Sequence, residues 1–115
     1  MTCKERILVV SIALLLAACN STPDALHLTL TTIDIAYDLN KISAQVGQTV
    51  NINVVNQGVL EHNFIIDEFG VDNLLQSGES HTVSFTPQDL GTYQFYCNVP
   101  GHLEAGMKGT LTVTK

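Results

Sequence analysis

From residue 26 onward, the chain consists of short segments in which apolar and polar residues alternate. In the clearest of them, the sequence TVNINVVN at 49–56, aliphatic residues occupy alternate positions at Val50, Ile52 and Val54. A period of two places these side chains on one face of a β-strand. The segments that predict strands are 26–30, 33–37, 42–46, 49–56, 62–67, 80–86, 92–97 and 109–114.

Turn-forming sequences separate these segments, among them NQG at 56–58 and PQDLG at 87–91. Short strands divided by such turns are typical of sandwiches and barrels. No segment keeps a helical period, and one short helical turn over 71–75 is the helical element that the pattern allows. The sequence therefore predicts an all-β fold: a Greek-key β-sandwich or barrel of about seven to eight strands, in one domain at 26–115.

Four potential metal ligands stand at the ends of predicted strands. Cys97, His102 and Met107 follow one another at five-residue intervals in a single loop, and His62 begins another strand. One thiolate, two imidazoles and one thioether form the ligand set of a mononuclear blue copper site. Thiolate and thioether suit Cu(I), and imidazole suits both oxidation states, so this set predicts one-electron chemistry at a single copper ion.

Each of these residues has a simpler explanation when it is taken alone. Free cysteine is often a buried core residue and methionine often fills gaps in a core, while His62 could be a core histidine with satisfied hydrogen bonds. The four together favour ligation. His27 and His81 keep the simpler explanation because they lie on predicted strands away from the loop. Glu104 is expected to face solvent, since a hard carboxylate suits other metals better.

Two sequences in the chain, EHNF at 61–64 and YCNVPGHLEAGM at 96–107, resemble those of the cupredoxins, the small blue copper proteins. The spacing of the loop is most similar to the rusticyanin, sulfocyanin and auracyanin types, and the resemblance covers about 33–115. It implies a cupredoxin-like fold that holds one copper ion on the four potential ligands.

The resemblance also implies roles for residues around the copper ion. Asn63 would bind the ligand loop to its own strand, and its backbone N–H would donate to the Cys97 thiolate. Part of the His102 ring would be exposed and carry electrons in and out. An apolar patch around that ring would receive transient redox partners, and its expected members are Val99, Pro100, Leu103 and Ala105.

The expected function is therefore electron transfer by a monomeric protein between exported redox partners. The alternative is copper storage or delivery, for which a more open site with several methionines is expected. An enzyme is not expected. Gly101 stands where the binuclear copper centre of oxidases has a second cysteine, and copper nitrite reductases and multicopper oxidases need more ligands and domains. Zinc on the same four residues is chemically feasible, as an artefact of expression.

The first 18 residues have the features of a secretory signal peptide. Lys4 and Arg6 precede an apolar run at 7–18, which is shorter than the roughly 20 residues needed to span a bilayer. The run leads into the sequence LAAC, which resembles the bacterial lipoprotein cleavage site. In that case Cys19 becomes the lipidated N-terminus, whereas the alternative is an ordinary signal peptide with a chance cysteine.

Under the lipoprotein hypothesis, residues 19–25 form the lipidated N-terminus and a short tether with a reach of about 20 Å. The protein would be exported and lipid-anchored to a bacterial membrane, facing the periplasm or the cell exterior. Cys3 would leave with the signal peptide, so Cys97 would be the remaining free thiol. A lone thiol is a liability in an oxidising compartment unless a metal or another group occupies it.

The chain is acidic, with 11 Asp and Glu residues against 5 Lys and Arg residues and a formal net charge of −6. Removal of the signal peptide would make it more acidic. This charge argues against nucleic acid as a partner. It also argues against electrostatic adhesion to anionic lipid, so membrane attachment would depend on the N-terminal lipid.

Overall fold

The computed structural model describes residues 21–115, in which nine strands form two sheets and one short 3-10 helix spans Asp67–Phe69. The predicted all-β sandwich is confirmed. No helix in this part of the chain is long and apolar enough to cross a membrane. The strands are β1 (Leu26–Ile33), β2 (Ala36–Tyr37), β3 (Lys41–Gln45), β4 (Val50–Asn56), β5 (His62–Ile66), β6 (Val71–Leu75), β7 (Ser80–Phe85), β8 (Gly91–Tyr96) and β9 (Lys108–Thr114).

The order of strands in both sheets differs from their order along the chain. One sheet has the order β2-β1-β4-β7, and the other has the order β3-β9-β8-β5-β6. The β1–β4 and β3–β9 pairs are parallel, and the remaining pairs are antiparallel. The chain thus crosses repeatedly between the sheets, as the predicted Greek-key topology requires.

The core lies between the two sheets and follows the predicted alternation. In β4 the residues at every second position, from Val50 to Asn56, are buried, and those between them are half-buried. Strand β5 differs because all five of its residues are buried. Its Phe64 ring lies 5.2 Å from Phe95 and 5.9 Å from Tyr37, measured between centroids. This aromatic cluster lies in the core near the start of β5, where His62 is located.

The segment Val71–Leu75 is a strand, whereas the sequence pattern also allows a short helical turn there. It pairs with all five residues of β5 in antiparallel register, and it accounts for the ninth strand. Val71, Leu74 and Leu75 are spaced as in a helix, but Val71 and Leu75 also fit a period of two and are the buried pair. Pairing with β5 satisfies the backbone hydrogen bonds of Val71–Leu75 as a strand, so the strand forms instead of the helical turn.

The predicted strand at 33–37 is wrong, because the chain reverses within it. Ile33 pairs with Ala36, so Asp34 and Ile35 form a two-residue turn between β1 and β2. Ile35 has a φ of 59°, which is unfavourable for a β-branched residue. The turn places the carboxylate of Asp34 against the loop that precedes His62, where the backbone N–H groups of Val59 and Leu60 donate to it.

Asn56 is a buried polar residue whose side chain connects three parts of the fold. Its Oδ1 accepts hydrogen bonds from the Thr32 hydroxyl and from the backbone N–H of Gly58, both at 2.9 Å. Its Nδ2 donates to the carbonyl oxygens of Leu60 at 2.9 Å and Leu75 at 3.1 Å. The side chain thus holds the 57–60 loop against β1 and β6.

We expect Asn56→Ala to lower the free energy of unfolding by about 1–3 kcal/mol, because buried partners would lose their hydrogen bonds. Urea denaturation of the copper-free protein measures this change. The matched control is Asn51→Ala, on the half-buried opposite face of the same strand, for which a change within about 0.5 kcal/mol is expected. Equal effects of the two substitutions would contradict the bridging role of Asn56.

Candidate metal centre

Three of the four predicted ligands lie where strands of one sheet end or begin. Strand β8 ends one residue before Cys97, and β9 begins one residue after Met107. The two strands are antiparallel and adjacent, so the segment 97–107, here called the ligand loop, connects them at one end of the sheet. Strand β5 is the other neighbour of β8 and begins with His62.

Backbone hydrogen bonds within the ligand loop join the three predicted ligands that it carries. The N–H of Cys97 donates to the carbonyl of Met107 at 3.1 Å, and the N–H of Met107 donates to the carbonyl of His102 at 3.0 Å. Gly101 and Gly106 have φ values of 86° and 96°, which glycine adopts at little cost. Backbone hydrogen bonds within the ligand loop therefore join its two ends and hold its conformation.

The structure brings His62, Cys97 and His102 together as one buried group, with one potential donor atom of each within 4.8 Å of the others. The Nδ1 atoms of His62 and His102 are 3.2 Å apart, and Nδ1 of His102 is 3.5 Å from Sγ of Cys97. His62 and Cys97 are fully buried, and His102 keeps 6% of its surface exposed. The exposure of His102 is therefore small.

The backbone of Met107 is hydrogen-bonded to the backbones of His102 and Cys97. Its side chain is fully buried in the hydrophobic core. The sequence expectation that its thioether is an axial ligand stays a prediction.

Asn63 links β5 to the ligand loop. Its Oδ1 accepts the backbone N–H of Asn98 at 2.8 Å, and its Nδ2 donates to the side-chain oxygen of Asn98. The backbone N–H of Asn63 also donates to Sγ of Cys97 at 3.5 Å. These contacts are the ones expected of a residue that holds the ligand loop and stabilises a thiolate.

The electrostatic environment favours a neutral imidazole at His62. Burial lowers the pKa of His62, opposed by contact with Asp34, and neutral imidazole is the form that binds metals. The pKa of Asp34 is lowered, above all by the hydrogen bond from the backbone N–H of Leu60. Burial raises the pKa of Tyr37, so its hydroxyl stays protonated and donates to the carbonyl of Asn63 at 2.6 Å.

Three residues next to His62 or Asn63 were not identified from the sequence. Asp34 and Tyr37 lie in the segment 33–37, whose alternation predicts a continuous strand, and Gly58 belongs to a predicted turn sequence. A charged residue within an alternating apolar segment was the one available signal for Asp34. Contact between the β1–β2 turn and the 57–60 loop depends on the tertiary fold.

The other residues singled out from the sequence lie at the surface or near it. His27, His81 and Glu104 are exposed. In the expected docking patch, Pro100 and Ala105 are exposed, while Val99 and Leu103 are half-buried. All four patch residues belong to the ligand loop. Cys19 lies outside the described residues.

The donor group suits copper. Zinc makes bonds of about 2.0 Å to nitrogen and about 2.3 Å to sulfur, and an ion with bonds of that length fits between donors that are 3.2 and 3.5 Å apart. Two imidazoles with one thiolate are the equatorial donors of blue copper sites, and a buried thioether-bearing residue follows in the same loop. His62, Cys97 and His102 can therefore hold the ion, with Met107 as the expected weak fourth ligand.

Comparison with known proteins agrees with this chemistry. Plastocyanin of Daucus carota is 38% identical over 84 residues, which cover 63% of this chain and 82% of that protein. Auracyanin-B of Chloroflexus aurantiacus is 56% identical over 41 residues, covering 36% of this chain but only 17% of the auracyanin. The chain thus matches most of the length of one relative and a small part of the other.

The fold also has a close counterpart among solved structures. Dithionite-reduced auracyanin of Roseiflexus castenholzii superposes with a TM-score of 0.71 at 23% identity, over 81% of this chain and all of that chain. This likeness concerns the fold. In addition, the family model described as a cupredoxin-like domain matches residues 6–113, nearly the whole sequence. The chain belongs to the cupredoxin-like family.

Proposed function

We propose that this protein is a type 1 copper protein that carries single electrons between exported redox partners. The observation that carries the proposal is the buried convergence of two imidazole Nδ1 atoms and one thiolate at the end of one sheet. Sequence similarity to plastocyanin and auracyanin supports the same function.

The fold supplies what rapid electron exchange requires. Bound copper provides the one-electron couple, and His62, Cys97, His102 and Met107 are the proposed ligands. The bonded loop and its attachment through Asn63 limit the movement of the ligands between oxidation states. Burial of the donors excludes water, so little solvent has to reorganise when the charge of the site changes.

His102 is the proposed point of electron entry and exit, because it is the one proposed ligand with any exposed surface. The surrounding patch of Val99, Pro100, Leu103 and Ala105 belongs to the same loop and is partly exposed. A small apolar surface of this kind suits weak and transient contacts. The acidic charge of the chain would favour partners with a basic face, and added salt would weaken that attraction.

We place the protein outside the cytoplasm, anchored to a bacterial membrane by lipid on Cys19. The support is the sequence pattern at 1–19, which lies outside the described residues. In this proposal residues 1–18 are removed, residues 19–25 form the tether, and residues 26–115 form the monomeric electron-transfer domain. The first strand begins at Leu26, directly after the proposed tether.

Copper storage or delivery remains the competing function. A delivery site would exchange its ion readily, whereas the proposed ligands here are buried and tied together by backbone hydrogen bonds. A catalytic role is not proposed, because copper enzymes with related domains need further copper ligands and domains.

We expect the purified full chain, loaded with Cu(II), to show an intense thiolate-to-copper band in the visible spectrum and a narrow parallel hyperfine splitting in its EPR spectrum. Ascorbate should bleach the band by reducing the ion. Cys97→Ser should abolish the band, because the thiolate that donates charge to Cu(II) is lost.

Cys19→Ser is the matched control for this experiment, since it removes a cysteine outside the proposed site and should leave the band intact. A pale, tetragonal Cu(II) spectrum in the unmodified protein would contradict a thiolate ligand and bring the storage or delivery function forward.

Met107→Leu should leave a blue site with a higher reduction potential, because a weak donor to Cu(II) is replaced by an aliphatic group. Voltammetry measures the potential. Thermal unfolding of the copper-free protein is the control, because Leu nearly conserves the volume of Met and should cost less than about 1.5 kcal/mol. An unchanged spectrum and potential would show that Met107 is not a ligand.

Labelling of growing bacteria with radioactive palmitate tests the proposed anchor. The unmodified protein should incorporate the label and Cys19→Ala should not, because the acceptor thiol is gone. Cys3→Ala is the matched control and should be labelled normally. Label retained by Cys19→Ala, or absent from the unmodified protein, would contradict the lipoprotein hypothesis.

A further inference from the structure

The imidazole of His62 has two nitrogen atoms in different surroundings. Nδ1 faces Nδ1 of His102 at 3.2 Å and so points into the proposed copper site. Nε2 is buried and has no hydrogen-bond partner within the described residues 21–115. If Nδ1 binds a metal, the proton of the neutral ring must sit on Nε2, and a buried N–H needs an acceptor.

The carboxylate of Asp34 is placed to meet this need. Its Oδ1 lies 3.5 Å from Nε2 of His62. That distance is long for a hydrogen bond but short for an electrostatic contact. The N–H groups of Val59 and Leu60 donate to the same oxygen at 3.0 and 3.2 Å, so the carboxylate is held beside the ring by the backbone.

Gly58 makes this approach possible. A Cβ atom at this position would lie 2.3 Å from Oδ1 of Asp34 and 3.1 Å from Nε2 of His62, so a side chain would separate the two. The position of Gly58 is itself determined, since its N–H donates to Asn56 at 2.9 Å and its carbonyl accepts the hydroxyl of Ser77 at 2.6 Å.

We propose that Asp34 is the positioning residue for His62, and that its carboxylate accepts the Nε2–H, directs the Nδ1 lone pair into the site and lowers the reduction potential. The inference rests on the proposed copper function. A carboxylate behind a ligating histidine fixes the tautomer and makes the imidazole a stronger donor. Its negative charge stabilises Cu(II) more than Cu(I), and stabilising the oxidised ion lowers the reduction potential.

The first test compares the reduction potentials of the unmodified full chain, Asp34→Asn and Asp38→Asn. Asn keeps the shape and an acceptor oxygen at position 34 but removes the charge. Loss of such a partner lowers metal affinity by about 10- to 100-fold. We expect a loss of affinity near tenfold, because the Asp34 side chain is 41% exposed and solvent screens its charge. A tenfold loss of Cu(II) affinity with unchanged Cu(I) affinity raises the potential by about 59 mV.

Asp38→Asn is the matched control, because it removes an equal charge near the same turn. Asp38 is exposed, and its Oδ1 accepts the N–H of Thr31 at 2.8 Å. We expect a much smaller change in potential. Equal shifts in the two variants, or no shift in Asp34→Asn, would overturn the proposal.

The second test needs no copper, and the unmodified protein alone can decide it. Long-range ¹H–¹⁵N NMR correlations of the copper-free protein identify the tautomer of each histidine ring. We expect His62 to carry its proton on Nε2, and Asp34→Asn to increase the fraction with the proton on Nδ1. A proton on Nδ1 in the unmodified protein would overturn the proposal even if Asp34→Asn failed to fold.

The two tests also separate this proposal from the proposed function. If the unmodified protein shows no thiolate-to-copper band, the proposed function fails, and the NMR measurement still decides whether Asp34 orients His62. If the band is present and the Asp34→Asn potential matches that of the unmodified protein, only the role of Asp34 fails.

Discussion

The hydrogen bonds between Asn63 and Asn98 join the two parts of the chain that carry the proposed ligands. One of these parts is the start of β5, and the other is the loop between β8 and β9. The neighbouring N–H of Asn63 reaches the sulfur of Cys97. A small change in this attachment would move His62 relative to the thiolate, so the geometry of the site depends on it.

The core below the site supports the same attachment. The hydroxyl of Tyr37 donates to the carbonyl of Asn63, and the Tyr37 ring lies against Phe64 and Phe95 in edge-on contact, with centroids 5.9 and 5.5 Å away. These contacts join β2 of one sheet to β5 and β8 of the other. The residue next to His62 is therefore held by a core hydrogen bond from Tyr37 and by hydrogen bonds to the ligand loop.

A second set of contacts surrounds His62 on the side away from the thiolate. Asn56 holds the 57–60 loop, the loop donates two N–H groups to Asp34, and Asp34 faces Nε2 of His62. The unfavourable backbone of Ile35 lies in the turn that carries Asp34. The positions of the loop and the turn therefore depend on each other through one carboxylate, and both border the proposed ligand.

The sequence by itself determined the fold class and predicted the donor set of the proposed copper site. Alternation in segments such as Val50–Asn56 depends on local geometry, because neighbouring side chains of a strand point to opposite faces. Cys97, His102 and Met107 are close in the chain, so their spacing already indicates one loop. Only the tertiary structure decided that Val71–Leu75 pairs with β5, that the chain turns at Asp34 and that this carboxylate meets His62. The physical reason is that these outcomes depend on hydrogen bonds and packing between segments distant in the chain, which a local pattern does not specify.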